Sequence, residues 1–398
     1  METLSNETQT AGGKPIDELD AKSQATILPE QYFTFLAGKV GSHSQGAGLL
    51  TSENLQVIKR YARTVRTLSR REEDISEEVD YEALGIEVKR IFNLNTLLHR
   101  HVDEWDKLER QVKELGPEIE MFADSMISRG AALITSIEKT PAFKRIASEK
   151  EAQGSNIYTS ELTAEERNQV LAVIERRLGA LIDEIRQTQQ RIGDVDARAS
   201  WFHKEIELEI KPQLVRVIKN IDDKLSNSNI NAMVATRDEL DREIERLGKQ
   251  YSTEVGYAFT GLLAGPFGLI ITGGIFGSRA EDTRKRKNIL IKQRDDLAER
   301  LSSVAPIIKS FERVNSTIRD LMFRTTDLIS ATQRLADIWL YLNKFATSSL
   351  EESKNLSTSA DLEEFVQDFA DVIRPWESIG NICRVLTELF NKISKEDK

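Results

Sequence analysis

The sequence predicts an all-α protein: an elongated multi-helix bundle with a long coiled-coil stalk and a hydrophobic insertion in its head. Three observations carry this. Apolar residues recur every three or four positions over runs tens of residues long, the period of an amphipathic helix. Of 398 residues, 30% are charged, 7% are aromatic and only eight are proline, a composition of long helices and coiled coils. Finally, no charged residue occurs from Val255 to Gly277.

The elements follow in chain order. Residues 1–50 read as an irregular lead-in, with loop glycines at Gly38, Gly41, Gly46 and Gly48 and an aromatic patch, Tyr32-Phe33-Thr34-Phe35-Leu36, that docks it. Thr51 or Ser52 caps a helix through Leu55, Ile58, Tyr61, Val65 and Leu68. The charged run Ser69 to Glu78 reads as its frayed end or a turn. Next comes a seam of Ile91, Leu94, Leu98, Val102, Trp105, Leu108, Val112, Leu115, Ile119, Phe122 and Met126, with a mean step of 3.5 residues. That spacing keeps one face against a partner helix. Pro117 falls inside the seam without interrupting its register, so it predicts a kink and not an end.

A capping box, Thr163-Ala164-Glu165-Glu166, opens a second run, Leu171 to Ile221, with Pro212 as a kink near its end. Unbroken, it would measure about 90 Å at 1.5 Å per residue. A third segment, Asn229 to Glu254, carries Met233, Leu240, Ile244, Leu247 and Tyr251. Beyond the charge-free stretch, apolar residues from Leu297 to Phe345 predict another long helix, then a polar loop over Ser348 to Ala360. Pro375 divides two last helices, Asp361–Arg374 and Trp376–Ile393. The division expected is a lead-in over 1–50, a tail bundle and stalk from 51–229 and 288–398, and a head over 230–287.

The charge-free stretch holds 13 apolar residues, seven glycines and one proline. As one straight helix it reaches about 34 Å, enough for a bilayer core of about 30 Å. In water such a helix is costly, about 1 kcal/mol per interior glycine and about 3 for proline relative to alanine; membranes tolerate both residues better. If Ala264-Gly265-Pro266 turns instead, each arm reaches only about 15 Å. Three roles stay open: a buried hairpin, a constitutive anchor, and a conditional membrane element packed away until lipid is met. For the third, the side chains entering lipid are Phe259, Leu262, Leu263, Phe267, Leu269, Ile270, Ile271, Ile275 and Phe276. The following cations, Arg279, Arg284, Lys285, Arg286 and Lys287, would meet anionic headgroups. They read equally as a solvated helix face.

Other chemistry finds little support. A net charge of −10 argues against nucleic acid as partner. Cys383 is the single cysteine, so the chain holds no internal disulfide and no cysteine metal site. His99 and His101, two apart, face different sides of a helix and cannot share a metal. His43 and His203 have no ligand-rich neighbourhood, and acidic pairs such as Glu72-Glu73 and Glu363-Glu364 are ordinary helix charges. The scattered glycines follow no strand of a βαβ unit, so no dinucleotide cofactor is expected. An enzyme is not expected. Met1 to Glu7 has neither a basic nor an apolar segment, so export would use no cleavable signal peptide.

Long seamed helices with a Gly/Pro-interrupted apolar insertion between two of them resemble the ClyA-like α-helical pore-forming toxins, in particular the A components of the xenorhabdolysin-type binary toxins (XaxA/YaxA). The resemblance implies a five-helix tail bundle, a coiled-coil neck and a head that carries the membrane element. It implies a soluble monomer that meets the bilayer of a target cell and joins a second toxin subunit, the B component, in a hetero-oligomeric pore. The B component would line that pore while the A component binds membrane and supports it. The alternative is a membrane-anchored or soluble coiled-coil scaffold.

Overall fold

A computed structural model describes residues 19–41, 52–78, 81, 86–153, 159–224, 228–262, 277–304 and 309–395. These form helices α1 (Ala21–Gly41), α2 (Ser52–Arg66), α3 (Glu72–Glu78), α4 (Val88–Glu138), α5 (Pro141–Gln153) and α6 (Ala164–Glu205). A π-helical turn (Ile206–Ile210) leads into α7 (Lys211–Lys224), followed by α8 (Ser228–Leu262), α9 (Gly277–Val304), α10 (Lys309–Ser353), α11 (Ser359–Ile373) and α12 (Pro375–Lys395). Among the described residues the sole strand-type pairing is an isolated bridge, Glu161 to Thr358. The expected elongated all-α bundle is the fold.

Its axis is three long helices. α4 and α6 run antiparallel, tied by Glu104–Arg198 at 2.9 Å, Glu118–Arg191 at 3.0 Å and Ser125–Glu184 at 2.7 Å. α6 and α10 also run antiparallel, through His203–Thr325 and Asp196–Thr332. Every residue of the Ile91–Met126 seam is buried, and α4 passes Pro117 without ending. The packing is tight enough that a Cβ on Gly130 would lie 2.1 Å from Ile373 of α11.

The capping box forms as expected: the Thr163 hydroxyl accepts from the Glu166 backbone N–H, and the Glu166 carboxylate accepts from that of Thr163. The run it opens continues through the π turn to Lys224. That turn has a packing cause. Phe202, Ile206, Ile210 and Leu214 are all buried at three successive steps of four. At 100° per residue an α-helical stripe would drift about 120° over those steps. A wider turn absorbs part of the drift, and Pro212 lacks the N–H that Leu208 would otherwise receive.

Five expectations need correction. The lead-in is partly regular, because residues 21–41 are α1. Ala25, Leu28 and Tyr32 are spaced as a helical stripe and buried, and Lys22 bonds Asp368 at 2.6 Å. Gly38 and Gly41 therefore lie in a helix, whereas Gly46 and Gly48 fall outside the described residues. The charged run after α2 contains helix α3. The run from Leu297 to Phe345 is described as two helices, α9 and α10, and residues 305–308 lie outside the described residues. The polar loop is shorter than expected, since α10 continues to Ser353, whose buried hydroxyl donates back to the Leu350 carbonyl. Helix α5 has no counterpart in the sequence reading; Thr140 and Pro141 start it, the threonine hydroxyl accepting from the Phe143 N–H at 3.4 Å.

The seams hold the bundle. Leu108 and Leu178 are fully buried, so truncating either to alanine is expected to cost about 2–5 kcal/mol. Chemical denaturation checks this; unchanged midpoints for both variants would mean that these faces do not carry the fold.

Candidate membrane-interacting head

Helices α8 and α9 flank the charge-free stretch and pack antiparallel, with Gln250 donating to Thr283 at 3.3 Å and Arg286 to Glu243 at 3.1 Å. Both lie along α10. Arg237 of α8 meets Glu312 of α10, and Tyr251 meets Asp327, so α8 runs parallel to α10. The end of α8 that leads into the apolar stretch therefore points toward the C-terminal half of α10. The expected head, 230–287, takes in most of α8 and the start of α9. Residue 287 falls within α9 and residue 230 within the first turn of α8, so α8 and α9 continue past both limits.

The interface of this hairpin with α10 is ionic. Arg237 pairs with Asp222 and Glu312, each at 2.8 Å. Arg294 pairs with Asp241 at 2.9 Å and with Glu312, and both Arg294 and Glu312 are 0% exposed. Arg319 meets Asp241 at 2.9 Å. About two helical turns on, Lys287 pairs with Asp320 at 2.6 Å, and about two turns beyond that the Tyr251 hydroxyl donates to Asp327 at 2.7 Å. Burial opposes the charge on Arg237 and Arg294, yet the carboxylates of Glu312 and its neighbours more than offset it, so both pKa values rise. For Asp320, burial is likewise outweighed by Lys287 and Arg324, and its pKa falls. For Asp327 burial outweighs the Tyr251 hydrogen bond and the charges of Arg284, Arg324 and Lys287, and its pKa rises.

This places the sequence-predicted residues as follows. Phe259 and Leu262 belong to the last turns of α8. Leu263, Phe267, Leu269, Ile270, Ile271, Ile275 and Phe276 lie outside the described residues. Arg279 begins α9, and Lys285 and Arg286 are exposed on it. Arg284 and Lys287 are corrections: both are buried, Lys287 at 1% exposure with its ammonium against Asp320 and over the Phe323 ring. The basic run is thus split by the helix period. One side faces α10 and one faces solvent, and only the latter can reach a headgroup from this arrangement.

Sequence reasoning missed the ionic interface. The available signal lies in α10, where Glu312, Arg319, Asp320, Arg324 and Asp327 interleave with the apolar stripe Phe311, Val314, Ile318, Leu321 and Leu328, and all are buried. A helix enclosed on every side must find partners for its charges, and opposite charges must come from its neighbours.

Among the described residues no group of three His, Cys, Asp or Glu side chains could hold a metal ion. His101 is a packing residue: its Nε2–H donates to the Phe202 carbonyl, Tyr61 donates to Nδ1 at 2.9 Å, and burial lowers its pKa to about 4. Cys383 is buried, which pushes its thiol up to about 12. No described helix is long and apolar enough to cross a membrane.

Among solved structures, the chain is similar to YaxA from Yersinia enterocolitica, with 27% identity over 87% of this chain and 98% of that one and a TM-score of 0.46. It is similar to XaxA from Xenorhabdus nematophila, with 20% identity over 88% and 98% and a TM-score of 0.43. It is also similar to the Bacillus cereus HblL1 toxin component, with 14% identity over 93% and 97% and a TM-score of 0.50. No protein-family model and no curated protein sequence matches the chain. The neighbours are of the kind the sequence resembles, and the HblL1 component shares its elongated all-α architecture.

Proposed function

We propose that this chain is one component of a pore-forming cytotoxin. It binds target membranes through the glycine-rich apolar stretch and assembles with a partner subunit into a lytic pore. The observation that carries the proposal is the position of that stretch. Twenty-three residues without charge join two helices that are themselves held to α10 by buried ion pairs. A purely structural hairpin gains nothing in water from seven glycines and a proline, each of which costs helix stability, whereas a segment that packs in one state and enters lipid in another gains conformational freedom. The names of similar proteins, the YaxAB and XaxAB pore complexes, supply the partner in this proposal: a second toxin subunit, joined at the membrane. In the supporting role, the stretch enters the bilayer and need not line the channel. Arg279, Lys285 and Arg286 would then approach the headgroups, each worth about 1 kcal/mol at an anionic surface.

Liposome flotation tests this. The purified chain is expected to stay soluble without detergent and to float with vesicles containing anionic lipid. A chain that needs detergent throughout is an anchored scaffold, and one that ignores vesicles is a soluble scaffold; either result overturns the proposal.

A further inference from the structure

A cavity of about 350 Å³ opens between α6, the π turn, α7, α8 and α10. Its size is that of a small-molecule site. Ile244, Met322 and Phe323 give it an apolar wall, while Lys211, Lys249 and Arg319 bring cations to it. Glu245 answers both lysines, at 3.1 and 3.7 Å. Arg319 is less well served. It is 7% exposed; Asp241 takes it at the carboxylate (2.9 Å) and the backbone carbonyl (3.4 Å), and the charges of Glu245 and Glu312 act on it from further off. The same carboxylate oxygen also holds Arg294 at 2.9 Å. Two buried guanidiniums thus share one oxygen, and Arg319, with five N–H donors, keeps donor capacity unused. Its Nε makes no well-aligned hydrogen bond.

Two features frame the cavity. Gly248 lines it in the interior of α8, where glycine costs about 1 kcal/mol relative to alanine. No close approach requires it, since a Cβ there would meet Phe323 at an ordinary 3.5 Å. The π turn contributes Glu207 to the rim, and such turns recur at functional sites.

We infer that this cavity binds a single-chain anionic amphiphile, a long-chain carboxylate whose head group completes the coordination of Arg319 and whose tail lies on Ile244, Met322 and Phe323. Neither half of the cavity suffices alone. A small free anion leaves the apolar wall wet, and a cationic amphiphile has no acceptor to offer the donors of Arg319.

The test is calorimetric titration of the full chain with laurate below its micellar concentration, beside acetate and dodecyltrimethylammonium. Because it is done without membranes, its outcome is independent of pore formation. Laurate is expected to bind saturably at one site and to raise the melting temperature, with neither comparison ligand doing so. Gly248→Leu, which fills the cavity without touching a charge, is expected to abolish that binding, and Arg319→Met to weaken it at least about tenfold, the scale of one charge-assisted hydrogen bond. Absence of saturable laurate binding, equal binding of the cationic amphiphile, or undiminished binding by a folded Gly248→Leu variant would each overturn the site. Should Arg319→Met fail to fold, the ligand comparison and Gly248→Leu decide the question without it.

Discussion

Ile270→Asp is expected to leave the chain soluble and helical and to abolish its flotation with liposomes. Ile270 sits at the densest part of the charge-free stretch, with Leu269, Ile271, Ile275 and Phe276 as neighbours in sequence. An aspartate at the centre of a spanning helix costs about 2.5–3.5 kcal/mol, or about 60- to 300-fold in partitioning at 1.4 kcal/mol per decade; a shallower position costs less. Ile289→Asp is the matched control, because Ile289 is an exposed apolar residue on α9 and surface substitutions of this kind change stability by only about 0.5 kcal/mol. The control variant is expected to float like the parent. Lysis measured with a partner subunit should follow binding in both cases. If Ile270→Asp unfolds the soluble protein, the stretch is structural core; if it floats and lyses unimpaired, the stretch is not the membrane element. Circular dichroism before flotation distinguishes the two.

What could be read from the sequence follows from periodicity. The seam from Ile91 to Met126 could be read residue by residue, because a 3.5-residue repeat has one geometric solution and every member is buried. The cap at Thr163 could be read because its chemistry is local: one hydroxyl, one carboxylate and two backbone N–H groups within four residues. Helix α1 was harder. Its stripe of Ala25, Leu28 and Tyr32 is short, with Pro29 inside and glycines close behind, and it becomes helical by docking on α10 and α12. Tertiary packing overrides weak local preference in this way.

For the candidate site, the apolar stretch was legible as an absence of charge, which needs no structure. The basic run beyond it was misread because composition cannot say which side of a helix faces inward. Arg284 and Lys287, three apart, share the buried face, whereas Lys285 and Arg286 do not. Reading them correctly requires knowing that α10 presents Asp320 and Asp327 at that height, a fact set by the pairing of helices far apart in sequence.

Glu312 is the hinge of that pairing, and Glu312→Gln is expected to be the most destabilising conservative change in the chain. Its carboxylate sits between Arg237 of α8 and Arg294 of α9 with no exposure to water. Neutralising it removes the carboxylate that the two guanidiniums share: Arg237 keeps Asp222 and the exposed Asp238, and Arg294 keeps an Asp241 oxygen that Arg319 also occupies. Removing one partner of a buried pair costs about 3–5 kcal/mol, chiefly because the remaining charge cannot regain its hydration. The counterpart experiment removes the charges together. Asp222→Leu, Arg237→Met, Arg294→Met and Glu312→Leu combined remove two positive and two negative charges, Asp241 keeping Arg319, and such exchanges of buried pairs for apolar volume are often neutral or stabilising by about 1–4 kcal/mol. Denaturant unfolding of the single and quadruple variants should therefore give shifts of opposite sense or very different size. Equal losses in both would mean that the ion pairs contribute net stability beyond what apolar packing can supply. A loss below about 1 kcal/mol for Glu312→Gln would mean that water reaches the network and that α8 and α9 are held to α10 by their apolar contacts instead.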